Sequence, residues 1–218
     1  MLGRLLLAHL AKGARVLDIC CGTGTVAQHL VGRGFVVTGI DASEEMLRYA
    51  SEEVPGAEFL VADARAFHLP PVFHGASCTF DSLSYMLTIE DLERVFSRVH
   101  VALRPGGAFV FDLSLEEAFK TEWQKSWSII DDDEACFIRD SYDEHGRLGR
   151  TLITRFHRKL GWERTDVEFH TRYYKPAEIL HALDRSGFAE YVCHRSDDSE
   201  ELRRELGPGR ACFVARSR

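Results

Sequence analysis

The first half of the chain alternates short apolar runs with segments of helical spacing. Residues 1–14 (MLGRLLLAHLAKGA) read as a helix that runs straight into the first strand. Residues 15–19 (RVLDI) are a short apolar strand with Asp18 near its end. Residues 24–31 then place Val26, Ala27, Leu30 and Val31 on one side of a helix, stopped by Gly32 and Gly34. Residues 35–40 form a second strand. Ser43 is suited to cap the next helix, which carries Met46, Leu47 and Ala50, and Glu44 and Glu45 suit its positive start. Residues 58–62 and 76–80 read as the third and fourth strands. Residues 89–103 are an amphipathic helix through Leu92, Val95, Phe96 and Val99. After the turn Arg104-Pro105-Gly106-Gly107, residues 108–111 are a fifth strand.

Strands joined by single helices imply right-handed crossovers and a parallel sheet. Runs that are apolar on both faces agree, because such a sheet is covered on both sides. Ligands of this architecture bind beyond the carboxyl ends of the strands. Asp18, Asp41, Asp63, Asp81 and Asp112 all fall at or just past those ends, which predicts a polar rim around a cleft.

The pattern changes near Ser114. From about residue 122 to 174 the chain alternates with the period of strands, most clearly over 150–160 and 165–174, and residues 144–147 (EHGR) read as a hairpin turn. This predicts a three- or four-stranded antiparallel unit. A helix from Pro176 to Leu183 and strands near 188–194 and 211–215 complete the chain. The division is therefore residues 1–113 with 175–218 as one doubly wound α/β domain, and residues 114–174 as an antiparallel β insertion. No repeat or low-complexity linker interrupts it.

Composition narrows the class. The 218 residues are 45% hydrophobic and 28% charged, ordinary for a soluble globular protein of one domain or one domain with an insertion. No apolar run reaches the ~18 residues of a membrane span. The first segment lacks the basic start and small-residue cleavage site of a signal peptide. The net charge of −7 disfavours a protein that tracks nucleic-acid phosphates. A local basic group (Arg147, Arg150, Arg155, Arg158, Lys159) reads as a solvated strand face. Six cysteines occur without a C-x-x-C pair or zinc spacing, which fits a reducing cytosol. Adjacent Cys20 and Cys21 are poorly placed to share a metal or a disulfide, and the acidic run 131–134 reads as a solvated turn, so no metal site is expected.

The stretch Val16–Gly24 (VLDICCGTG) carries the candidate chemistry. A strand, a tight glycine loop and a helix make a cradle for an adenine nucleotide, with small residues where the backbone approaches and free N–H groups at the helix start. Gly22, Gly24 and Ala27 fit a G-x-G-x-x-A fingerprint. Asp41, 19 residues beyond Gly22, stands where an acid holds ribose hydroxyls. A nicotinamide or flavin enzyme and an S-adenosylmethionine enzyme both fit this much. Three features separate them. Asp18 would oppose a cofactor phosphate but suits a cationic ammonium. Asp63 and Ala64 close the third strand, where a carboxylate accepts from an adenine amino group. The RPGG turn and the terminal strand pair are not expected of a plain dinucleotide fold.

VLDICCGTG, GIDAS-x-x-ML, VADA, the DSLSY segment and LRPGGAFVFDL together resemble the class I, Rossmann-like S-adenosylmethionine-dependent methyltransferases, over roughly residues 14 to 113 and more weakly over 187 to 216. DSLSY and the β insertion look like a subgroup of small bacterial members. The resemblance implies a seven-stranded sheet with its last strand antiparallel. It implies S-adenosylmethionine as cofactor and S-adenosylhomocysteine as product. It places Asp18, Cys20, Cys21 and Gly22 at the methionine part, Asp41 at the ribose, Ala42 and Met46 beside the adenine, and Asp63 and Ala64 at its edge. Thr79 or Phe80 would lie near the sulfonium. Where this chain has Cys20 the family usually has Gly, and a cysteine suits the position if its φ is negative. Two further departures are a short segment before the first strand, where many relatives have a lid, and Phe73-His74 in place of an aromatic-Asp pair.

The insertion is expected to roof the cleft over a small-molecule acceptor. Asp81, Tyr85 and His170 are the candidate catalytic groups, and Arg172 and Tyr174 candidate substrate contacts. Glu168, His170, Arg172 and Tyr174 share one strand face by period two. That face either lines the roof or is simply solvated. Trp123, Trp127 and Trp162 read as packing residues. The expected activity is methyl transfer to an oxygen or nitrogen atom by a monomer or homodimer. An NAD(P)-dependent oxidoreductase and an inactive S-adenosylmethionine-binding module remain the alternatives.

Overall fold

The computed structural model describes residues 1–158 and 161–218. Lys159 and Leu160, the ends of the basic group and of the strand expected at 150–160, lie outside the described residues. The N-terminal segment is not one helix. It is a single turn, α1 (Leu2–Leu5), and a 3-10 turn (Leu7–His9). The backbone breaks at Leu6 because that side chain is buried over Gly75, where any Cβ would lie 2.8 Å from it.

The alternation then follows the expected order: β1 (Arg15–Ile19), α2 (Thr25–Gly32), β2 (Val36–Asp41), α3 (Glu44–Glu53), β3 (Ala57–Val61), β4 (Phe73–Cys78), α4 (Ile89–Ala102) and β5 (Leu103–Ser114). Ser43 caps α3 by accepting from the Met46 amide, and Thr88 caps α4 from Asp91. The RPGG turn is an excursion within β5, whose pairing with β4 jumps from Leu103 to Ala108. His74 takes up local adjustment at the start of β4, where its Nδ1 accepts from the Arg15 amide at 3.1 Å.

A short helix, α5 (Glu116–Thr121), leads into β6 (Ser126–Ile130), β7 (Glu134–Asp143), β8 (Leu148–Arg158) and β9 (Trp162–Arg172). The chain closes with α6 (Pro176–Arg185), β10 (Phe188–Arg195), α7 (Glu200–Leu206) and β11 (Arg210–Ser217). The first sheet has seven strands in the order β10-β11-β5-β4-β1-β2-β3, with β11 antiparallel to both neighbours. The second is a four-stranded antiparallel sheet, β6-β7-β8-β9.

Alternate residues of the seven-stranded sheet enter two cores. Leu17, Ile19, Phe109 and Phe111 meet α4 and α6, while Val16, Val37 and Val110 meet α2 and α7. Phe111 stacks on Phe109 at 4.8 Å and on Phe213 at 5.0 Å, so β5 and β11 are joined by ring contacts as well as by their ladder.

The four-stranded sheet is amphipathic across its width. Trp127, Ile138, Ile153 and Val167 lie in one row, and Asp140, Thr151 and Phe169 in the next row of the same face. The other face carries Arg150, Glu168 and His170. Helix α5 covers the inner end, where Trp123 stacks on Phe119 and a Cβ on Gly149 would strike both Thr171 and Trp123. Trp123 is thus a packing residue, but Trp127 and Trp162 are exposed, at 53% and 54%. The basic group is neutralised as a solvated face: Arg147 pairs with Glu178, Arg150 with Glu168, Arg155 with Glu134 and Arg158 with Asp133.

Candidate active site

The carboxyl end of β1 buries an incompletely satisfied acid. Asp18 is 2% exposed. Its Oδ1 accepts from the Ser77 hydroxyl at 3.0 Å, but its Oδ2 is buried with no partner among the described residues. Burial pushes this carboxyl up to about 7, against the lowering effect of Ser77. A buried acceptor without a donor costs about 1–3 kcal/mol, and a cation placed beside it would recover that cost.

The loop that follows turns sharply. Cys20 has a φ of +54°, which overturns the expectation of a negative φ at this cysteine. The turn into α2 needs the left-handed region at residues 20, 22 and 24, and two of those three are glycine. A Cβ on Gly22 would meet nothing within 4 Å, so this glycine borders open space. The Cys21 thiol points instead into the sheet, within 2.8 Å of where a Cβ on Gly39 would stand, and burial pushes it upward. All six cysteines are free thiols. Among the described residues no group of His, Cys, Asp or Glu is arranged to hold a metal ion.

The Asp41 carboxylate ties the loop to the end of β2. Its Oδ2 accepts from the Gly22 amide and its Oδ1 from the Ser43 amide, both at 2.9 Å. Beside it opens a cavity of about 490 Å³ lined by Cys20, Gly22, Asp41, Ala42, Met46, Asp63, Ala64 and Tyr85, among others. The Asp63 carboxylate is held by Arg65, which keeps it below the usual carboxylate range. Arg65 also lines the cavity and pairs with Asp91.

The corner after β4 is strained. Phe80 and Asp81 have φ values of +61° and +62°. Two consecutive non-glycine residues in this region cost on the order of 1–3 kcal/mol each. The corner is held by reciprocal acids: the Asp112 carboxylate faces the amides of Phe80 and Asp81, and the Asp81 Oδ1 accepts from the Ser114 amide at 2.7 Å. Asp112 is buried and paired with Arg210. Asp81 itself is half-buried, and desolvation pushes it up to about 6. Phe80 does not reach the first cavity. It lines a second one, of about 480 Å³, together with Thr79, Asp112 and Arg210.

The insertion meets the first cavity through a residue that sequence reasoning missed. Phe169, on β9, lines it and touches Tyr85 edge to face with ring centroids 6.2 Å apart. His170 lies on the opposite strand face, outside the cavity, with its Nε2 3.2 Å from Glu168. That half of the charged face is solvated. Arg172 and Tyr174 are anchors between the sheet and the corner: Arg172 donates to the Leu87 carbonyl at 3.0 Å, and the Tyr174 hydroxyl donates to the Met86 carbonyl at 2.5 Å. The signal that could have found Phe169 was the apolar alternation Val167, Phe169, with Thr171 buried beyond them.

Residues 16–107 match the family model described as a methyltransferase domain. A Bacillus subtilis (strain 168) protein, "Putative methyltransferase YqeM", is 33% identical over 187 residues, which cover 83% of this chain and 76% of that protein. The chain belongs to the class I S-adenosylmethionine-dependent methyltransferases. A methyltransferase structure from Clostridium acetobutylicum ATCC 824 superposes with a TM-score of 0.79 at 21% identity, covering 99% of this chain and 88% of that one. An N,N-dimethyltransferase of Streptomyces venezuelae, named for dTDP-3-amino-3,4,6-trideoxy-alpha-D-glucopyranose, is 32% identical over 101 residues, 46% of this chain and 43% of that protein. The methyltransferase reading therefore replaces both alternatives, the oxidoreductase and the inactive module. S-adenosylmethionine is its methyl donor, and the orphaned acid at Asp18 and the open flank of Gly22 fit such a group. No described helix is long and apolar enough to cross a membrane.

Proposed function

We propose that this methyltransferase transfers its methyl group to an amine of a small molecule, with a hydroxyl as the second acceptor type, at the carboxyl end of β1 and β4. The buried, unpartnered Oδ2 of Asp18 carries the reading, because it asks for a cationic group beside the glycine loop. In this reading Asp18 and residues 20–22 hold the amino-acid part of the donor. Asp41 holds the ribose hydroxyls with lone pairs not used by Gly22 and Ser43. Ala42 and Met46 flank the adenine, and Asp63 and Ala64 meet its edge. Residues 114–174 roof the cleft.

When bound, S-adenosylmethionine supplies a methyl group already activated on a sulfonium. The protein's own work is then positioning and exclusion of water. The corner after β4, which reaches the cavity through Ser82, Tyr85 and Met86, fixes where an acceptor would sit. An ammonium acceptor must lose a proton before it can attack, and Asp81, at about 6, is matched to receive one near neutral pH. The amine preference draws on the sugar N,N-dimethyltransferases among the relatives.

The test is calorimetric titration with S-adenosylmethionine beside NADH, on the wild type and Asp18→Asn. The expected result is micromolar binding of S-adenosylmethionine alone, weakened roughly 100-fold by the substitution, about 3 kcal/mol for an uncompensated buried charge partner. NADH binding, or full affinity in Asp18→Asn, overturns the assignment.

A further inference from the structure

Phe169 stands apart from the rest of the four-stranded sheet. Among the described residues it is the one of that sheet that lines the cavity at the end of β1 and β2, and its partner Tyr85 comes from the corner after β4. The two rings meet from elements 84 residues apart in sequence. Both are partly open to solvent, Phe169 at 38% and Tyr85 at 50%. The two rings leave apolar surface open at the mouth of a cavity, where a bound ligand would cover it. The backbone around them is fixed. Arg172 and Tyr174, three and five residues beyond Phe169, bond to Leu87 and Met86, two residues and one residue beyond Tyr85. Leu83 and Ser84, just before Tyr85, are buried. The ladder sets Phe169 opposite Thr151 on the inner face. The pair thus sits on anchored backbone, with its two rings meeting at the cavity.

We propose that Tyr85 and Phe169 close over the bound cofactor and set its residence time, so that the four-stranded sheet acts as the arm that carries one half of a clasp. This rests on the placement of the cofactor in that cavity. Apolar rings that cover a ligand slow its escape more than its arrival, so the effect belongs mainly to the dissociation rate. The same closure would dry the cavity during transfer.

The experiment uses the full chain and S-adenosylhomocysteine as the probe. Affinity is measured by calorimetry and the dissociation rate by displacement with excess S-adenosylmethionine in stopped flow. Phe169→Ala and Tyr85→Ala are each expected to speed dissociation about 10-fold, the scale of an aromatic contact with its buried area. The double variant is expected to be no worse than about 20-fold, because either loss opens the clasp. Tyr85→Phe, which keeps the ring, restores most of what Tyr85→Ala loses. Melting curves check that the single variants fold as the wild type does. Unchanged dissociation in both alanine variants, or strictly multiplied effects in the double variant, overturns the clasp. Failure of the wild type to bind S-adenosylhomocysteine at all would overturn the cofactor placement instead, so the two failures are distinct.

Discussion

The two sheets treat their carboxylates in opposite ways. At the end of the seven-stranded sheet, burial pushes Asp18, Asp81 and Asp112 upward. On the four-stranded sheet, hydrogen-bonding partners pull Glu134, Asp166 and Glu168 downward, through Arg155, Thr154 and Arg150 respectively. The first set is costly to keep ionised and stands at or just beyond the carboxyl ends of β1, β4 and β5. The second is inexpensive, exposed and spread over a surface. Desolvation thus raises the acids at the strand ends where the site is proposed, whereas ion pairing lowers acids both on the solvated face and, at Asp63, beside the cavity. The burial of the strands follows the same division: four of the five residues of β1 are buried, but only Thr171 of the eleven in β9.

The largest expected effect breaks the comparison at its hydrophobic base. Phe111 is fully buried and stacked between Phe109 and Phe213, so Phe111→Ala should cost about 4 kcal/mol. Phe137, on the four-stranded sheet, is 46% exposed, and Phe137→Ala should stay within about 0.5 kcal/mol. Urea unfolding of the two variants measures the difference. Comparable losses would mean that the four-stranded sheet is covered in solution.

How much of this was legible follows from the same contrast. Strands buried on both faces produce unbroken apolar runs, so β1, β2, β4 and β5 stood out, and the polar residue ending each run marked the rim. The capping of α3 by Ser43 was equally readable, because one hydroxyl and two acids suffice to signal it. The left-handed backbone at Cys20 and Phe80 was not, since those residue types carry no local signature of positive φ, and at Asp81 the type only mildly favours it. Period two on β9 was clear, but it does not say which face turns inward. The titratable face, with His170 and Glu168, is solvated, and the apolar one, with Phe169, meets the cavity. Helices α5 and α7, of six and seven residues, are too short to show a helical stripe.

A middle-sized effect sharpens the electrostatic half of the comparison. Asp18 in the folded protein is raised to about 7 from an ordinary 3.8. Its contribution to the stability of the ligand-free protein is therefore full below about 4 and is lost as the pH rises towards about 7. Binding of a cationic ligand runs the other way, because it needs the carboxylate. Affinity for S-adenosylmethionine should rise about tenfold between pH 6 and 8, close to one pKa unit of free energy, about 1.4 kcal/mol. Calorimetry across that range measures it. Asp18→Asn should flatten the dependence, whereas Glu168→Gln, on the exposed sheet, should leave it intact. A flat wild-type profile would show that Asp18 does not face the ligand's charge.

The smallest effect concerns the backbone of the glycine loop. At an ordinary position alanine is more stable than glycine by roughly 0.5–1 kcal/mol, because glycine loses more freedom on folding. At residue 20 the φ of +54° reverses the order, since any Cβ strains the left-handed turn. Cys20→Gly should therefore be more stable than Cys20→Ala by about 1 kcal/mol, a melting difference of about 2–4 °C for a chain of this size. Both variants lose the same thiol contact beside Cys78, so their difference isolates the backbone. The corresponding pair at Gly149, on β8, should show the opposite cause for the same sign. There a Cβ is disfavoured not by φ but by Thr171 and Trp123, less than 3.0 Å away. Adding Trp123→Ala to Gly149→Ala should relieve part of that cost, but no neighbouring substitution should relieve the cost of a Cβ at residue 20. If alanine proves the more stable at residue 20, the turn there relaxes to a negative φ, and the loop is less constrained than its two glycines imply.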